Sequence, residues 1–463
     1  MGTQPRRIAV IGSGVAGLSA AHTLATSAQA AAGDLQVVLI EADERLGGKL
    51  QTSPFAGHPA IDEGPDAFLA RLPWGTALAK AVGLGDELVA PTAGKAAVWW
   101  DGLHPIPEGL LLGMPTDVLA LARSKLLTWG GKLRAATEPF RPRTSLAEDS
   151  LGGYVRARFG DQVHLRLVDP LVGSIYAADT DHFSLAAVPQ IYDLASKARS
   201  ILIAGRSMPK PAPNAGPVFY APRGGMGSLV QATADAARAH GAEVRTGTAV
   251  AAIEPGAGGT GWLVDGEPFD AIVLACPAAA TARLLAQVAP EAAATIGQVP
   301  AADVAMVSIA LHARDWPRHM VGMSGYLVPK PMQRLVTAAS FGSQKWTHWQ
   351  VDELVILRIS LGRDGLPVLH LDDEQLLAAA VEEVGHHIGV AMQPVHTRVS
   401  RWNGAFPQYR PHHAQRIAEA EGRLPAGLAL AGASYHGMGV PACIRSGKEA
   451  AGRLTAMLFT MAQ

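Results

Sequence analysis

The sequence predicts an α/β protein in which a discontinuous first domain is joined to a second, α+β domain and to a mostly helical insertion. Three observations carry this prediction. An apolar run at Ile8–Ile11 stops at a glycine-rich turn before a helical pattern, and a second buried run follows at Gln36–Glu41, which makes a βαβ unit and implies a parallel sheet. Helical periodicity dominates from about Pro105 to Ile203, and strand-like runs recur from Val304 to about Leu361.

The remaining elements follow from local patterns of apolar residues and turn formers. In chain order they are helical patterns at Val118–Leu133, Leu151–Phe159 and Val163–Val168, a helix at Ser228–His240, strands at Glu243–Thr246 and Ala271–Ala275, a helix at Asp373–Ile388, and a strand, glycine-rich loop and helix over Leu428–Leu458. The proline-rich segment Arg206–Pro217 is the best predicted boundary. We therefore expect a first domain of residues 1–72, 218–300 and 401–463, a second domain of residues 73–90 and 301–400, and a helical insertion over residues 91–217.

Composition limits the classes of function. The chain has 463 residues, with 39 basic and 40 acidic side chains and 48% hydrophobic residues, which indicates a globular protein and excludes a generally basic nucleic-acid binder. No apolar stretch reaches the roughly 18 to 20 residues that a transmembrane helix needs. Cys276 and Cys443 are the only cysteines, which excludes a disulfide framework and suits a reducing cytoplasm. The adjacent pairs His386-His387 and His412-His413 lack metal-ligand spacing and are predicted to lie on the surface.

The first motif is Gly12-x-Gly14-x-x-Gly17 on the predicted strand-to-helix turn, with Glu41 at the end of the next strand. The glycines allow a tight turn and let a pyrophosphate approach the helix N-terminus, while an acid at this place accepts ribose hydroxyls. The alternative is an ordinary packing turn. With strand, helix and acid in register, the motif predicts a Rossmann-like site for FAD or NAD rather than NADP.

Three further segments are weaker signals on their own. Arg45-Leu46-Gly47-Gly48-Lys49 is either a surface turn or a loop against the dinucleotide, and Gly64-Pro65-Asp66 by itself is only a turn signal. The glycine-dense segment 432–447 opens a helix, so that its backbone N–H groups and positive dipole end can meet a polar ligand atom; a second packing turn is the alternative.

Together these motifs resemble the flavoproteins of the amine oxidase and phytoene desaturase superfamily. Five longer segments narrow the resemblance to the flavin-dependent protoporphyrinogen and coproporphyrinogen oxidases of haem biosynthesis, most closely the soluble Gram-positive type. They cover residues 104–117, 169–185, 196–205, 400–417 and 432–448, and the similarity extends over essentially the whole chain. The first domain is then a Rossmann-like FAD domain.

The resemblance implies an FAD- and oxygen-dependent, six-electron oxidation of coproporphyrinogen III to coproporphyrin III in three flavin cycles with release of H2O2. Hydride transfer from a meso carbon to flavin N5 makes a separate catalytic side chain unnecessary, so none is assigned. Ala96 stands where many protoporphyrinogen oxidases have a propionate-binding arginine, which favours coproporphyrinogen III over protoporphyrinogen IX. Two more distant functions stay open, namely an amine oxidase-like enzyme and a non-catalytic flavin-binding partner in the haem pathway.

The resemblance also carries over residue by residue. The implied FAD contacts are Gly12, Ser13, Gly14, Val15, Ala16, Gly17, Glu41, Ala42, Arg45, Gly48, Lys49, Gly64, Pro65, Asp66, Ala67, Val250, Trp402, Gly439, Val440 and Pro441. The implied substrate contacts are Arg71, Lys95, Gly173, Ser174, Tyr176 and Arg445, the three cations being candidates to meet propionates. Porphyrinogen and O2 are the expected partners, and contacts with a downstream ferrochelatase or with a membrane surface are left open.

Overall fold

The computed structural model describes residues 4–206 and 216–460. Most of the proline-rich segment predicted at Arg206–Pro217 therefore lies outside the described residues. In the described part of the chain, no helix combines the length and apolar character needed to span a bilayer.

A five-stranded parallel sheet lies at the centre of the nucleotide-binding half and confirms the predicted α/β class. Its strands, in spatial order, are Glu243–Arg245, Leu35–Ile40, Arg6–Ile11, Ala271–Leu274 and Leu428–Leu430. All four neighbouring pairs are parallel, with Ile8 opposite Val37 on one side and Ala271 on the other. The sheet thus joins strands from three distant parts of the sequence. Four of its strands are rich in buried apolar residues because both faces of the sheet are covered, and Glu243–Arg245 at one edge is the exception.

The two faces of this sheet carry different layers. On one face, the helices Val15–Ala25, Met226–Ala239 and Val440–Thr460 pack together in a single apolar cluster with the strands. On the other face lie a small antiparallel sheet of Ile253–Pro255, Trp262–Val264 and Glu267–Phe269 and the helices Ala278–Leu285, Pro290–Gly297 and His413–Glu421.

The second half is built on a seven-stranded, largely antiparallel sheet. Its strands, in spatial order, are His396–Pro407, Ala301–His312, Leu354–Leu361, Val336–Ser340, Met323–Leu327, Lys95–Trp99 and Leu103–Pro105. The helix Asp373–Ile388, which starts at a capping box on Asp372, packs in one apolar cluster with these strands. The predicted antiparallel sheet and this helix are therefore confirmed.

The sheet crosses two of the predicted domain boundaries. Lys95–Trp99, predicted to lie in the helical insertion of residues 91–217, pairs in parallel with Met323–Leu327 and belongs to the sheet. His396–Pro407 runs straight through the boundary predicted at residue 401. Helix Pro73–Ala81, predicted to belong with the second domain, buries Leu78 and Ala79 in the cluster of the parallel sheet. These differences arise from long-range pairing and packing, which local composition does not reveal; the three-domain division itself stays a prediction.

The helical layer surrounds a third apolar cluster. The helical pattern predicted over Val118–Leu133 is interrupted, giving helices at Val118–Arg123 and Trp129–Ala136. The break occurs where the Ser124 hydroxyl accepts from the Leu126 N–H and Thr128 caps the second helix. A π-helix spans His164–Gly173 and contains Pro170. The layer's other helices are Glu138–Phe140, Leu151–Phe159, Asp161–Val163, Ser174–Tyr176, Pro189–Lys197 and Ile201–Arg206.

The remaining elements are short. The strands are Thr52–Phe55 paired with His58–Asp62, Phe219–Pro222 between Phe68–Leu69 and Leu88–Val89, and Leu110–Leu111 paired with Met114–Pro115. The helical turns are Ala28–Ala31, Ala257–Gly259, Ala313–Asp315, Arg318–Met320, Lys330–Met332, Gly342–Lys345 and Thr347–Trp349.

Two of the four histidines predicted to lie on the surface are buried, so the prediction is wrong for them. A hydrogen bond of 3.0 Å joins His387 Nδ1 to the Tyr326 hydroxyl. Burial of His387 lowers the pKa of its imidazole to about 4. His413 stacks on Tyr409, and burial likewise lowers its pKa to about 4. His386 and His412 are exposed, as predicted.

Candidate functional site

The glycine-rich turn between the first strand and the first helix leaves no room for side chains at two positions. Gly12 has φ +101°, and a Cβ on Gly17 would lie 1.8 Å from the Gly12 carbonyl oxygen. A Cβ on Gly14, in contrast, would meet nothing within 4 Å. Open space therefore borders the N-terminus of helix Val15–Ala25, where backbone N–H groups favour an anion.

Glu41 lies directly beside this turn at the end of the second strand. Its Oε2 accepts hydrogen bonds from the Ser13 N–H at 2.7 Å and the Ser13 hydroxyl at 2.6 Å, and its Oε1 accepts from the Asp43 N–H. The Glu41 carbonyl accepts from the Thr248 N–H, which brings the segment that contains Val250 to the same sheet edge. The structure thus brings together the predicted glycines, the acid and the 246–250 segment.

The second glycine motif folds onto the first. The Gly47 N–H donates to the Ser13 carbonyl at 3.0 Å and lies 3.2 Å from the Ser13 hydroxyl oxygen, and Gly14 and Gly47 form a parallel bridge. Arg45 does not extend into open solvent: its guanidinium donates to the carbonyls of Leu46, Gly48 and Leu50. Arg45 therefore fixes the curvature of this loop from within.

Lys49, Gly64 and Trp402 meet at the junction of the two halves. The Lys49 amine donates to the carbonyls of Gly404 at 3.1 Å and Ala405 at 2.5 Å, and burial lowers its pKa. The Trp402 indole N–H donates to the Glu63 carbonyl at 3.1 Å. A Cβ on Gly64 would lie 2.3 Å from the Lys49 carbonyl oxygen, so only glycine fits between these segments.

Asp66, which the resemblance places at the cofactor, also contacts the antiparallel half. Its Oδ2 accepts from the Lys345 amine at 2.9 Å and the Trp346 indole N–H at 3.0 Å, and Arg358 lies 3.5 Å away. Burial alone would raise the pKa of Asp66, but Lys345 and Arg358 outweigh burial and hold the pKa well below its usual range. The carboxylate thus anchors the loop to the antiparallel half through Lys345, Trp346 and Arg358.

The C-terminal glycine segment completes the site from the opposite side. Gly432, Gly437 and Gly439 all have positive φ, and the 21-residue helix Val440–Thr460 begins directly after them. A Cβ on Gly447 would lie 2.0 Å from the Ala16 carbonyl oxygen, so the first and last helices pack at backbone distance. The N-termini of both helices therefore belong to one structural unit.

The predicted substrate segment lies where the π-helix ends. Gly173 closes that helix, and Ser174 and Tyr176 form the short helix after it. Gln408 donates to the Tyr176 carbonyl at 3.2 Å. Ala177 packs with Val304 and Ala405 in a cluster that Trp402 and Phe406 border, so the structure brings this segment against the strand that carries Trp402.

The three predicted propionate-binding cations are not gathered in one place by any contact of the described residues. Arg71 and Lys95 are exposed, and Lys95 begins a strand that lies between Met323–Leu327 and Leu103–Pro105. Arg445 donates to the His436 carbonyl at 3.2 Å and lies 3.8 Å from Glu449.

Sequence reasoning missed Arg358 and Arg363. Arg358 is buried and donates to the Gly64 carbonyl. Arg363 is buried and forms a two-bond pair with Asp169. One signal could have identified Arg358: it is a cation inside LVILRISL, an otherwise apolar strand pattern, and a buried charge requires a partner.

This geometry fits a flavin dinucleotide. A pyrophosphate requires open space at a helix N-terminus, which the structure offers beside Gly14. A ribose requires an acid at the end of the second strand, which is Glu41. A polar ring edge requires backbone N–H groups, which the second glycine loop and its helix N-terminus offer. The fold and site thus define a dinucleotide-binding oxidoreductase of the discontinuous Rossmann type.

Comparison with known proteins gives the family. Residues 15–455 match the family model described as flavin-containing amine oxidoreductase. The chain belongs to this family, and its cofactor is FAD.

Two curated relatives are similar over nearly the whole length. The coproporphyrinogen III oxidase of Mycobacterium tuberculosis is 34% identical over 95% of each chain. That of Bacillus subtilis is 30% identical over 98% of this chain and 99% of its own.

Solved structures share the fold of this chain. A proposed protoporphyrinogen oxidase from Exiguobacterium sp. 255-15 superposes with a TM-score of 0.85 at 30% identity, covering 98% of this chain and 100% of its own. Cyclohexylamine oxidase from Brevibacterium oxydans, with a TM-score of 0.68 at 16% identity over 98% and 99% of the two chains, shares the fold.

Proposed function

We propose that this chain catalyses the FAD- and oxygen-dependent, six-electron oxidation of coproporphyrinogen III to coproporphyrin III with release of H2O2, in haem biosynthesis. The observation that carries the proposal is the full-length similarity to curated coproporphyrinogen III oxidases from several Gram-positive bacteria. The closeness of the segment 173–177 to the Trp402 strand supports a substrate position beside the flavin.

The proposed cofactor site uses the predicted residues, with one change. Gly12–Gly17 receive the pyrophosphate, Glu41 the ribose hydroxyls, and Gly439, Val440 and Pro441 the flavin end. Asp66 is assigned to anchoring its loop, because Lys345 and Trp346 already bind its carboxylate. Bound FAD supplies the two-electron acceptor for the carbon-bound hydrogen of the substrate.

The side chains around the site orient and enclose the reactants. Arg358 holds the Gly64 carbonyl, and Trp402 holds the neighbouring Glu63 carbonyl, so the loop that passes the flavin is fixed by two donors. Lys49 donates two of its three N–H bonds to carbonyls, which leaves one N–H for a ligand. No acid or base on the protein is assigned to the chemical step.

We further assign Gly173, Ser174 and Tyr176 to the macrocycle, and Arg71, Lys95 and Arg445 to the propionates. Four carboxylates need several cations, and Arg71 and Lys95 have exposed side chains that are free to reach a ligand. We place the enzyme in the cytoplasm, with O2 as the electron acceptor and with a transient contact to the downstream ferrochelatase that takes the product.

The test is a turnover assay with purified, FAD-saturated protein. Coproporphyrinogen III, freshly reduced, is expected to give porphyrin fluorescence with three H2O2 per porphyrin; a matched sample without protein measures autoxidation. Anaerobic substrate is expected to bleach the flavin absorbance. A flavin that stays oxidised, with fluorescence no faster than autoxidation, would refute the proposal and favour a non-catalytic flavin-binding partner.

Protoporphyrinogen IX oxidation is the second candidate. It is favoured by the 28% identity to bovine protoporphyrinogen oxidase over 97% of this chain. The ratio of kcat/KM for the two porphyrinogens decides between them, because it measures differential transition-state binding. We expect the ratio to favour coproporphyrinogen III, since Ala96 stands where many protoporphyrinogen oxidases have an arginine.

A further inference from the structure

Four aromatic rings form a continuous stack between the helical layer and the C-terminal glycine loop. Tyr176 stacks on Phe183 with ring centroids 5.0 Å apart, and Phe183 lies parallel to Tyr409 at 6.3 Å with an interplanar angle of 5°. Tyr409 in turn stacks on His413 at 3.8 Å and 10°. Tyr409 therefore packs against two nearly parallel rings and is only 5% exposed.

The hydroxyl of Tyr409 points into the glycine loop. It donates to the Ala433 carbonyl at 2.5 Å and accepts from the Gly437 N–H at 2.9 Å. These bonds clamp the loop at two points four residues apart. Burial raises the pKa of Tyr409 far above neutral pH, so the hydroxyl keeps its proton and its donor role.

Such a clamp matters because ordering the loop costs much conformational entropy. Gly432, Gly437 and Gly439 all have positive φ, and glycine loses more backbone entropy on folding than any other residue. The Tyr409 ring is immobilised by packing before a ligand binds. Its fixed hydroxyl can therefore restrict the backbone of the loop through these two hydrogen bonds.

We infer that Tyr409 is a positioning residue that holds the loop Gly432–Gly439 in the shape that receives the isoalloxazine end of FAD. The inference rests on the proposed function in one respect, that this loop faces the flavin. Because the ring also stacks toward Tyr176, the same residue connects the flavin loop with the proposed substrate segment.

The test compares Tyr409→Phe with Tyr326→Phe. Tyr326 is an equally buried tyrosine whose hydroxyl bonds to His387 in the antiparallel half, so its loss controls for general destabilisation. Apoprotein is titrated with FAD by fluorescence, and the midpoint potential of the bound flavin is measured without porphyrinogen. Losing two hydrogen bonds to the loop is expected to raise the Kd for FAD about tenfold in Tyr409→Phe. Tyr326→Phe should change it less than twofold.

The midpoint potential is the readout that a merely structural role would not move, and we expect it to shift in Tyr409→Phe alone. Unchanged Kd and potential in Tyr409→Phe, or equal weakening in both variants, would overturn the inference. If Tyr409→Phe does not fold, residue-resolved amide hydrogen exchange of the wild-type apoprotein tests the inference instead. The Gly437 amide should exchange far more slowly than that of exposed Gly439. Equal exchange rates would overturn the inference. Absence of porphyrinogen turnover by the wild type would refute the proposed function instead. The measured Kd for FAD and the midpoint potential would still test the role of Tyr409.

Discussion

Arg363 and Asp169 form a buried ion pair between the antiparallel sheet and the helical layer. Nη2 lies 2.8 Å from Oδ1 and Nη1 lies 3.1 Å from Oδ2, and both side chains are at most 3% exposed. Arg363 also donates to the Ala178 carbonyl, next to the proposed substrate segment. The Arg363–Asp169 pair thus fixes the π-helix against the antiparallel half.

Removing one partner leaves a buried, unpaired charge, so Arg363→Met is expected to lower the free energy of unfolding by about 3–5 kcal/mol. Urea unfolding of the apoprotein measures this change. Arg410→Met, which breaks the more exposed pair with Asp364, is the control and should cost about 1 kcal/mol or less. A urea unfolding midpoint of Arg363→Met equal to that of the wild type would contradict the prediction.

Gly17→Ala is expected to abolish FAD binding or folding, because the new Cβ would lie 1.8 Å from the Gly12 carbonyl oxygen. Gly452→Ala is the matched control: Gly452 lies inside the last helix, and a Cβ there meets nothing within 4 Å. Since alanine is the better helix former, the control should gain about 0.5–1 kcal/mol. Flavin retained per protein after purification and the melting temperature are the two measurements. Normal flavin content in Gly17→Ala would show that residue 17 does not lie so close to the Gly12 carbonyl oxygen.

Glu41→Gln is expected to raise the Kd for FAD about tenfold or more, since hydrogen bonds to a charged group are worth about 1.5–3 kcal/mol. Oε2 accepts two hydrogen bonds from Ser13, and the proposed function assigns this carboxylate to the ribose hydroxyls. Fluorescence titration of the apoprotein gives the Kd. Asp43→Asn removes a neighbouring exposed carboxylate and should leave it unchanged; equal effects of both changes would show that only net charge matters.

Asp62 makes the stability depend on pH near pH 5. Burial raises its pKa to about 6, against hydrogen bonds from Thr52 and the Met226 N–H, and its Oδ2 is buried without a partner among the described residues. Between about pH 4 and 6 the folded state holds this proton more tightly than the unfolded state. The contribution of Asp62 therefore becomes less favourable as pH rises through this range.

Asp62→Asn removes that titration. The unfolding free energy of the variant relative to the wild type should rise between pH 4 and 6 by up to about 3 kcal/mol, then stay constant. Urea unfolding of both apoproteins at several pH values measures the difference. A difference that is the same at pH 4.5 and pH 7 would contradict the raised pKa.

Local parts of the site could be predicted from the sequence, and contacts between distant segments could not. The glycines and Glu41 lie in one βαβ unit, so spacing alone places them together. The Trp402–Glu63 hydrogen bond spans 339 residues and the Arg363–Asp169 pair spans 194, and neither leaves a periodic signal. The sequence places Lys95–Trp99 in the insertion for the same reason, because its sheet partner Met323–Leu327 is remote along the chain. His387 and His413 are buried by neighbours that composition does not show.

The backbone contact between Gly447 and Ala16 has a consequence for how the protein is made. Ser19 and Ile444, which hydrogen-bond in the same helix pair, are separated by 425 residues. At roughly 5–20 residues per second, a ribosome needs about 20–85 s to deliver the last helix to the first. During that interval the apolar face of the first helix lacks the cover of the last helix, and the C-terminal glycine loop does not yet exist. We therefore expect cofactor loading to follow translation, and a nascent chain halted before residue 428 to retain no FAD.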